Sequence, residues 1–196
     1  MGRALALPAV LLLSSCVSFS GLDPKSNYAE IGQDSIIVLG VSPRYRVHIF
    51  DGERAGEKWN RNQVMTTLNV YPENGYIVAK VSPRSGSLNY GIGGILPEGI
   101  GGKLFIPCMG RKTITFDAPG GKVIYVGNIT FVHSDATVRY EASSDFDAAR
   151  AHLRSYYPAL ADRLIDQGFE NPELANTPCG REPGAPIIIR IPRLRR

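Results

Sequence analysis

The chain has 196 residues, of which 43% are hydrophobic and 20% charged, with 21 Gly, 14 Pro, 3 Cys and a formal charge of +4. That length suits one domain, or one domain plus an appendage, and the composition excludes a wholly disordered or fibrous chain. A single apolar run near the N-terminus approaches membrane-helix character, which excludes a polytopic membrane protein.

In the N-terminal segment Arg3 precedes an uncharged run from Ala4 to Leu13, and small residues follow. This is the order of a secretory signal, and the run is too short for a hydrocarbon core of about 30 Å. Leu13-Ser14-Ser15-Cys16 resembles the lipobox of bacterial lipoproteins. The resemblance implies that residues 1–15 are removed as a signal peptide. It also implies that Cys16 carries a diacylglycerol on its thiol and an acyl group, typically palmitate, on its new amine. Two or three chains anchor a protein stably where one does not. Val17, not Asp, follows Cys16. In a Gram-negative envelope the resemblance then implies an outer-membrane anchor facing the periplasm, and in a Gram-positive one the cell membrane. The competing reading is an ordinary secretory signal with an incidental Cys.

If lipid consumes Cys16, Cys108 and Cys179 remain, and neither has CxxC or metal-ligand spacing. An oxidising compartment permits them to pair. The bridge would close a loop of about 70 residues, worth at most roughly 4 kcal/mol by chain entropy. Two separate buried thiols are the alternative.

Residues 16–34 are polar and turn-rich, as expected of a tether. Strand patterns follow at Ser35–Gly40, Arg44–Phe50, Val64–Val70, Tyr76–Val81, Lys103–Ile106, Lys112–Phe116, Val123–Val132 and Thr137–Tyr140. Asp51-Gly52 reads as a hairpin turn, and Pro72–Gly75, Pro83–Gly86 and Ala118–Gly121 read as further turn clusters. Residues 35–142 thus predict a mainly β body, an antiparallel β-sandwich of immunoglobulin or transthyretin type. Residues 143–170 then predict a helical appendage. Ser144 or Asp145 can cap it, and Phe146, Ala149, Leu153 and Tyr156 keep a three-to-four spacing. Pro158 breaks it near Tyr157, and Gly168 is expected to end the second helix. A Pro-rich linker and basic tail occupy residues 171–196.

The segment Gly121-Lys-Val-Ile-Tyr-Val-Gly127 is similar to a G-K-x-x-Y-x-G strand of small bacterial lipoprotein domains with a β-sandwich fold. Asn74-Gly75-Tyr76 and Asp145 stand where those domains carry a G-Y strand and an acidic helix start. The resemblance implies a fold and a location, and no activity.

Catalytic and metal signatures are missing. His48, His133 and His152 have no zinc-ligand spacing, Arg84-Ser85-Gly86-Ser87 is not a nucleophile elbow, and no SxxK occurs. No cofactor is indicated. The segment from Gly91 to Gly102 repeats GIGG and holds six Gly in twelve positions, but satisfies neither phosphate-loop pattern. It predicts a hairpin loop whose Ile92, Ile95, Leu96 and Ile100 could meet a partner or lipid. Trp59 with Arg54, Lys58 and Arg61 forms a basic-aromatic cluster that could stack on a glycan such as peptidoglycan. A surface loop with one packed Trp is the plainer reading. Export makes nucleic acid an improbable partner.

Charge is unevenly placed. Without Arg3 the chain keeps 21 basic against 18 acidic residues, and residues 181–196 hold five of the bases and one acid. Residues 16–180 are therefore nearly neutral, with 16 bases and 17 acids. The tail could touch anionic headgroups at about 1 kcal/mol per base, or be a solvated end. The leading expectation is a lipid-anchored, non-enzymatic envelope lipoprotein whose β-domain binds something or supports an assembly, and a third reading is a secretion or surface-assembly accessory protein. The rival is an envelope hydrolase whose site assembles from residues distant in sequence.

Overall fold

The computed structural model describes residues 22–24, 28, 31–62, 66–82, 88–97, 104–134, 137–178 and 189–190. Cys16 and the lipobox, Ser85, Ile100, Cys179 and the terminal arginines Arg193, Arg195 and Arg196 lie outside the described residues.

The elements in chain order are β1 (Ser35–Ser42), β2 (Arg46–Ala55), β3 (Lys58–Arg61), β4 (Leu68–Val70), β5 (Tyr76–Val81), β6 (Asn89–Leu96) and β7 (Thr115–Asp117). They continue with β8 (Val123–Ser134), β9 (Thr137–Ser143), α1 (Phe146–Tyr156), α2 (Pro158–Ala161), β10 (Leu164–Asp166), β11 (Glu173–Leu174) and β12 (Ile189–Arg190). Sheet A runs β12-β9-β8-β1-β5, and sheet B runs β11-β3-β2-β6-β7. Two long strands organise them. β8 is flanked along one edge by β1, and along the other first by β10 and then by β9. β2 has β6 on one side, and β4 then β3 on the other.

The fold is the expected β-sandwich, with one departure in direction. Both sheets are mixed, because β1 and β10 run parallel to β8, β12 to β9 and β11 to β3. Parallel pairing needs a long crossover, and here residues between β1 and β8 build most of sheet B before the chain returns.

Period-2 alternation sorts the side chains. Ile37, Leu39 and Val41 of β1 turn toward sheet B, and Val47 and Ile49 of β2 answer them in one core shared by both sheets. Ile36 and Val38 turn the other way, with Val78, Val123 and Tyr125, and meet Ala149, Leu153, Tyr157, Leu160 and Leu164. The helical segment therefore covers the outer face of sheet A as a third layer, which is why β1 is buried along both faces.

Helix α1 starts as the sequence predicts. Asp145 accepts a hydrogen bond from the Ala148 amide at 3.0 Å, and its own amide donates to the Tyr125 hydroxyl at 2.8 Å. The break falls at Tyr157, with Pro158 opening α2. Gly168 does not end that helix. α2 stops at Ala161, and Leu164, buried beneath the helices, pulls the chain into sheet A beside β8. Gly168 instead turns the chain outward at φ +70.

Several sequence expectations shift for steric reasons. Asp51-Gly52 is not a turn: β2 continues through it, and the chain reverses at Gly56, with φ +61. The Gly-rich segment is not a loop in its first half, since Gly91–Leu96 belongs to β6. Lys103–Ile106 is reduced to a bridge between Phe105 and Ile95 in its described part. The tether is partly docked, for the Leu22 amide donates to Val78 at 3.0 Å and Ile31 is buried. Ile189–Arg190 of the tail pairs with Tyr140–Glu141.

Candidate functional site

The outer face of sheet B divides into a closed half and an open half. On the closed half Phe50, Trp59 and Leu174 form a small core of their own. Glycines make room for it. A Cβ on Gly91 would stand 2.7 Å from the Trp59 ring, on Gly52 2.4 Å from it, and on Gly93 2.2 Å from the Phe50 ring. The spacing that resembled a loop is thus a strand whose outward positions lie beneath aromatic rings. Arg61 caps Phe50, its guanidinium carbon 4.5 Å from the ring centroid. Residues 170–177 seal the edge. The Ala175 amide donates to Trp59, the Arg61 amide donates to the Asn176 side chain at 3.0 Å, and Asn176 donates back to Arg61 at 2.8 Å.

Two expectations are overturned here. Trp59 is wholly buried and offers no surface for a glycan, and Ile95 faces the inter-sheet core at 1% exposure, so neither meets a partner. Ile92 is buried with it. Arg54 is engaged by Glu170 and by the Gly56 carbonyl rather than clustered around Trp59.

The open half is built on the first residues of β2. Arg46, His48 and Phe50 share its outer side by alternation. Register sets His48 opposite Asn69 of β4 on one side and Gly94 of β6 on the other, and sets Arg46 opposite Leu96. Beyond β4, the Arg44 and Arg46 guanidiniums stack on the Tyr71 ring, 4.8 and 4.7 Å from its centroid. On the β6 side Leu104 and Ile106 flank Gly94, 3.3 and 3.6 Å from where its Cβ would be, and stand 39% and 43% exposed. Half-burial, followed by the charge of Arg46, lowers the His48 pKa and favours neutral imidazole. His48 Nε2 and Asn69 Oδ1 are buried atoms with no hydrogen-bond partner among the described residues. The face therefore combines two oriented guanidiniums, an imidazole and an amide with exposed aliphatic side chains. Arg and aromatic residues beside apolar groups are the composition of protein recognition surfaces.

Of the residues singled out from sequence, Leu96 and His48 come together on this face. The histidines do not converge. His152 lies on α1, its ring 4.5 Å from that of Tyr76, and His133 lies on β8. Among the described residues no three His, Cys, Asp or Glu side chains are placed to hold a metal ion. A polar recess of about 60 Å³ is lined by Asn89, Asp117, Gln167 and Glu170. Within it Asn89 donates to Asp117 at 2.8 Å, and Glu170 pairs with Arg54. Arg44, Asn69 and Tyr71 were missed as site residues. The alternation of Arg44-Tyr-Arg46-Val-His48 does put the three polar residues on one side, but nothing local brings Tyr71 beneath them.

Cys108 sits half-buried in the loop between Phe105 and β7. The next amide, Met109, donates to Thr177 at 2.7 Å, and the Gly110 amide donates to Leu174 at 2.9 Å.

No family model matches the chain, and neither does any curated protein or any solved structure.

Proposed function

We propose that this protein is a lipid-anchored lipoprotein of the bacterial envelope. Its body recognises a macromolecular partner through the open half of sheet B and catalyses no reaction. The observation that carries the reading is the face itself. Arg44, Leu104 and Ile106 are exposed around the half-buried Arg46, His48, Asn69 and Leu96, beside a half of the same sheet that the fold covers. The anchor rests on the lipobox at Cys16, with cleavage after Ser15. Outer-membrane attachment rests on Val17 and a Gram-negative source.

We propose further that Cys108 and Cys179 form a disulfide. Two observations support this pairing. Cys108 is not a free thiol, and the bond from Met109 to Thr177 brings the chain to within two residues of Cys179. The bridge would hold the 170–177 strap against sheet B.

Growth with labelled palmitate tests the anchor: label should enter the protein and vanish in Cys16→Ser. A photo-crosslinking residue at Leu104 should give one discrete adduct in living cells, abolished by Arg44→Glu with Arg46→Glu, while the same residue at Arg154 on α1 gives none of that size. No adduct at Leu104, or one indifferent to both arginines, would overturn the recognition role.

A further inference from the structure

We propose that the surface formed by Tyr76, His152 and Tyr156 at the α1 side of sheet A rests in the headgroup region of the anchoring membrane, so that the open face of sheet B points away from it. The inference depends on the lipid at Cys16. His152 lies 4.5 Å from Tyr76 and 4.8 Å from Tyr156, ring centroid to ring centroid. Tyr156 is 44% exposed, and Tyr76, His152 and Tyr28 are half-buried. These aromatic rings present an apolar body with a polar tip, the chemistry suited to a membrane–water interface.

The chain itself places the lipid near this cluster. Leu22 is held at the same side, its amide donating to Val78 at 3.0 Å and its carbonyl accepting from the Tyr157 hydroxyl at 3.2 Å. Arg163 adds a bond to the Tyr28 carbonyl at 2.7 Å. Five residues lie between Cys16 and Leu22, and the six steps from one to the other span at most about 21 Å. Sheets stack about 10 Å apart, and a helix layer adds about 8–10 Å more. Leu22, bonded along the edge of β5, lies level with sheet A, and its carbonyl is held by Tyr157 of the helix layer. The acyl chains reach the aromatic cluster easily.

Charge does not drive the seating. Burial, together with nearby Glu73 and Asp23, raises the Tyr157 pKa, so carboxylates stand beside the cluster and repel anionic lipid. Contact should accordingly need no anionic lipid.

The full lipidated chain is reconstituted in phosphatidylethanolamine–phosphatidylglycerol vesicles containing headgroup-level spin-labelled lipid. Trp59, buried in sheet B, supplies a constant background. The Tyr156→Trp variant should lose its added fluorescence to the quencher at both low and high phosphatidylglycerol, and the Ile106→Trp variant should lose none. Flotation with the vesicles is scored in parallel, with Cys16→Ser as control. Protein that does not float, or a control that floats equally well, would refute the anchor and the seating with it. Protein that floats through Cys16 but is quenched equally at both positions, or more strongly at 106, would refute the seating alone.

Discussion

Replacing Gly91 by Ala tests whether the glycines of β6 exist to seat Trp59. Gly91 has no positive φ, so backbone strain does not enter. The new methyl would stand 2.7, 2.8 and 3.1 Å from three atoms of an indole that is 0% exposed and held under Leu174. The ring cannot swing outward without lifting the strap that carries Leu174. Overpacking of this kind costs about 1–3 kcal/mol, while Ala in place of Gly in a strand returns about 0.5–1 kcal/mol. The net expectation is a loss of up to about 2.5 kcal/mol, or up to roughly 10 °C in Tm for a chain of this size. Trp59→Ala alone should cost about 3–5 kcal/mol. Once the indole is gone, the methyl has nothing to strike. Gly91→Ala in the Trp59→Ala background should then be neutral, or stabilising by up to about 1 kcal/mol. Urea unfolding of the four proteins supplies the cycle, and a coupling of about 1–3 kcal/mol is the signature of direct contact. If the two losses simply add, the indole is not the reason for glycine at position 91.

Other perturbations read other layers. Asp145→Ala removes the α1 cap at the Ala148 amide and should cost about 1 kcal/mol by thermal unfolding, whereas Asp145→Asn should retain most of it. Ile95→Ala should lose about 2–5 kcal/mol because it opens the inter-sheet core, while Leu96→Ala, at the half-buried end of β6, should lose much less in the same urea series. His48 and His152 both have lowered pKa values, chiefly from burial. The unfolded chain therefore binds more protons than the folded one, and stability should fall as pH drops below the ordinary histidine value of about 6.5. It should level off once pH passes below the folded values. At the alkaline end, burial raises the Tyr140 pKa, so stability should fall again as pH climbs past about 10. Urea midpoints across pH would show both slopes, and His48→Gln should flatten the acid one.

The sequence alone established what depends on local patterning. Strand β1, most of β8 and the split of the helical segment at Tyr157 follow from runs of β-branched residues, a capping Asp and a proline. These act over a few residues, and no distant contact competes with them. The outward row of Arg44, Arg46 and His48 was equally legible, because side chains alternate along any strand.

Tertiary structure decided the rest. Gly52 and Gly91 resemble turn and loop residues until Trp59 is placed over them, because glycine signals equally a bend and a close approach of two surfaces. Trp59 resembles a surface aromatic until Leu174, more than a hundred residues later, comes to cover it. β10, β11 and β12 are two or three residues long, too short for any periodicity to announce. They exist because strands elsewhere offer unpaired edges, and a backbone leaving water must find hydrogen bonds somewhere. The recognition face belongs to the same class. Arg44 and Arg46 precede Tyr71 by a hairpin's length of chain, and only the pairing of β4 with β2 brings the ring under both guanidiniums.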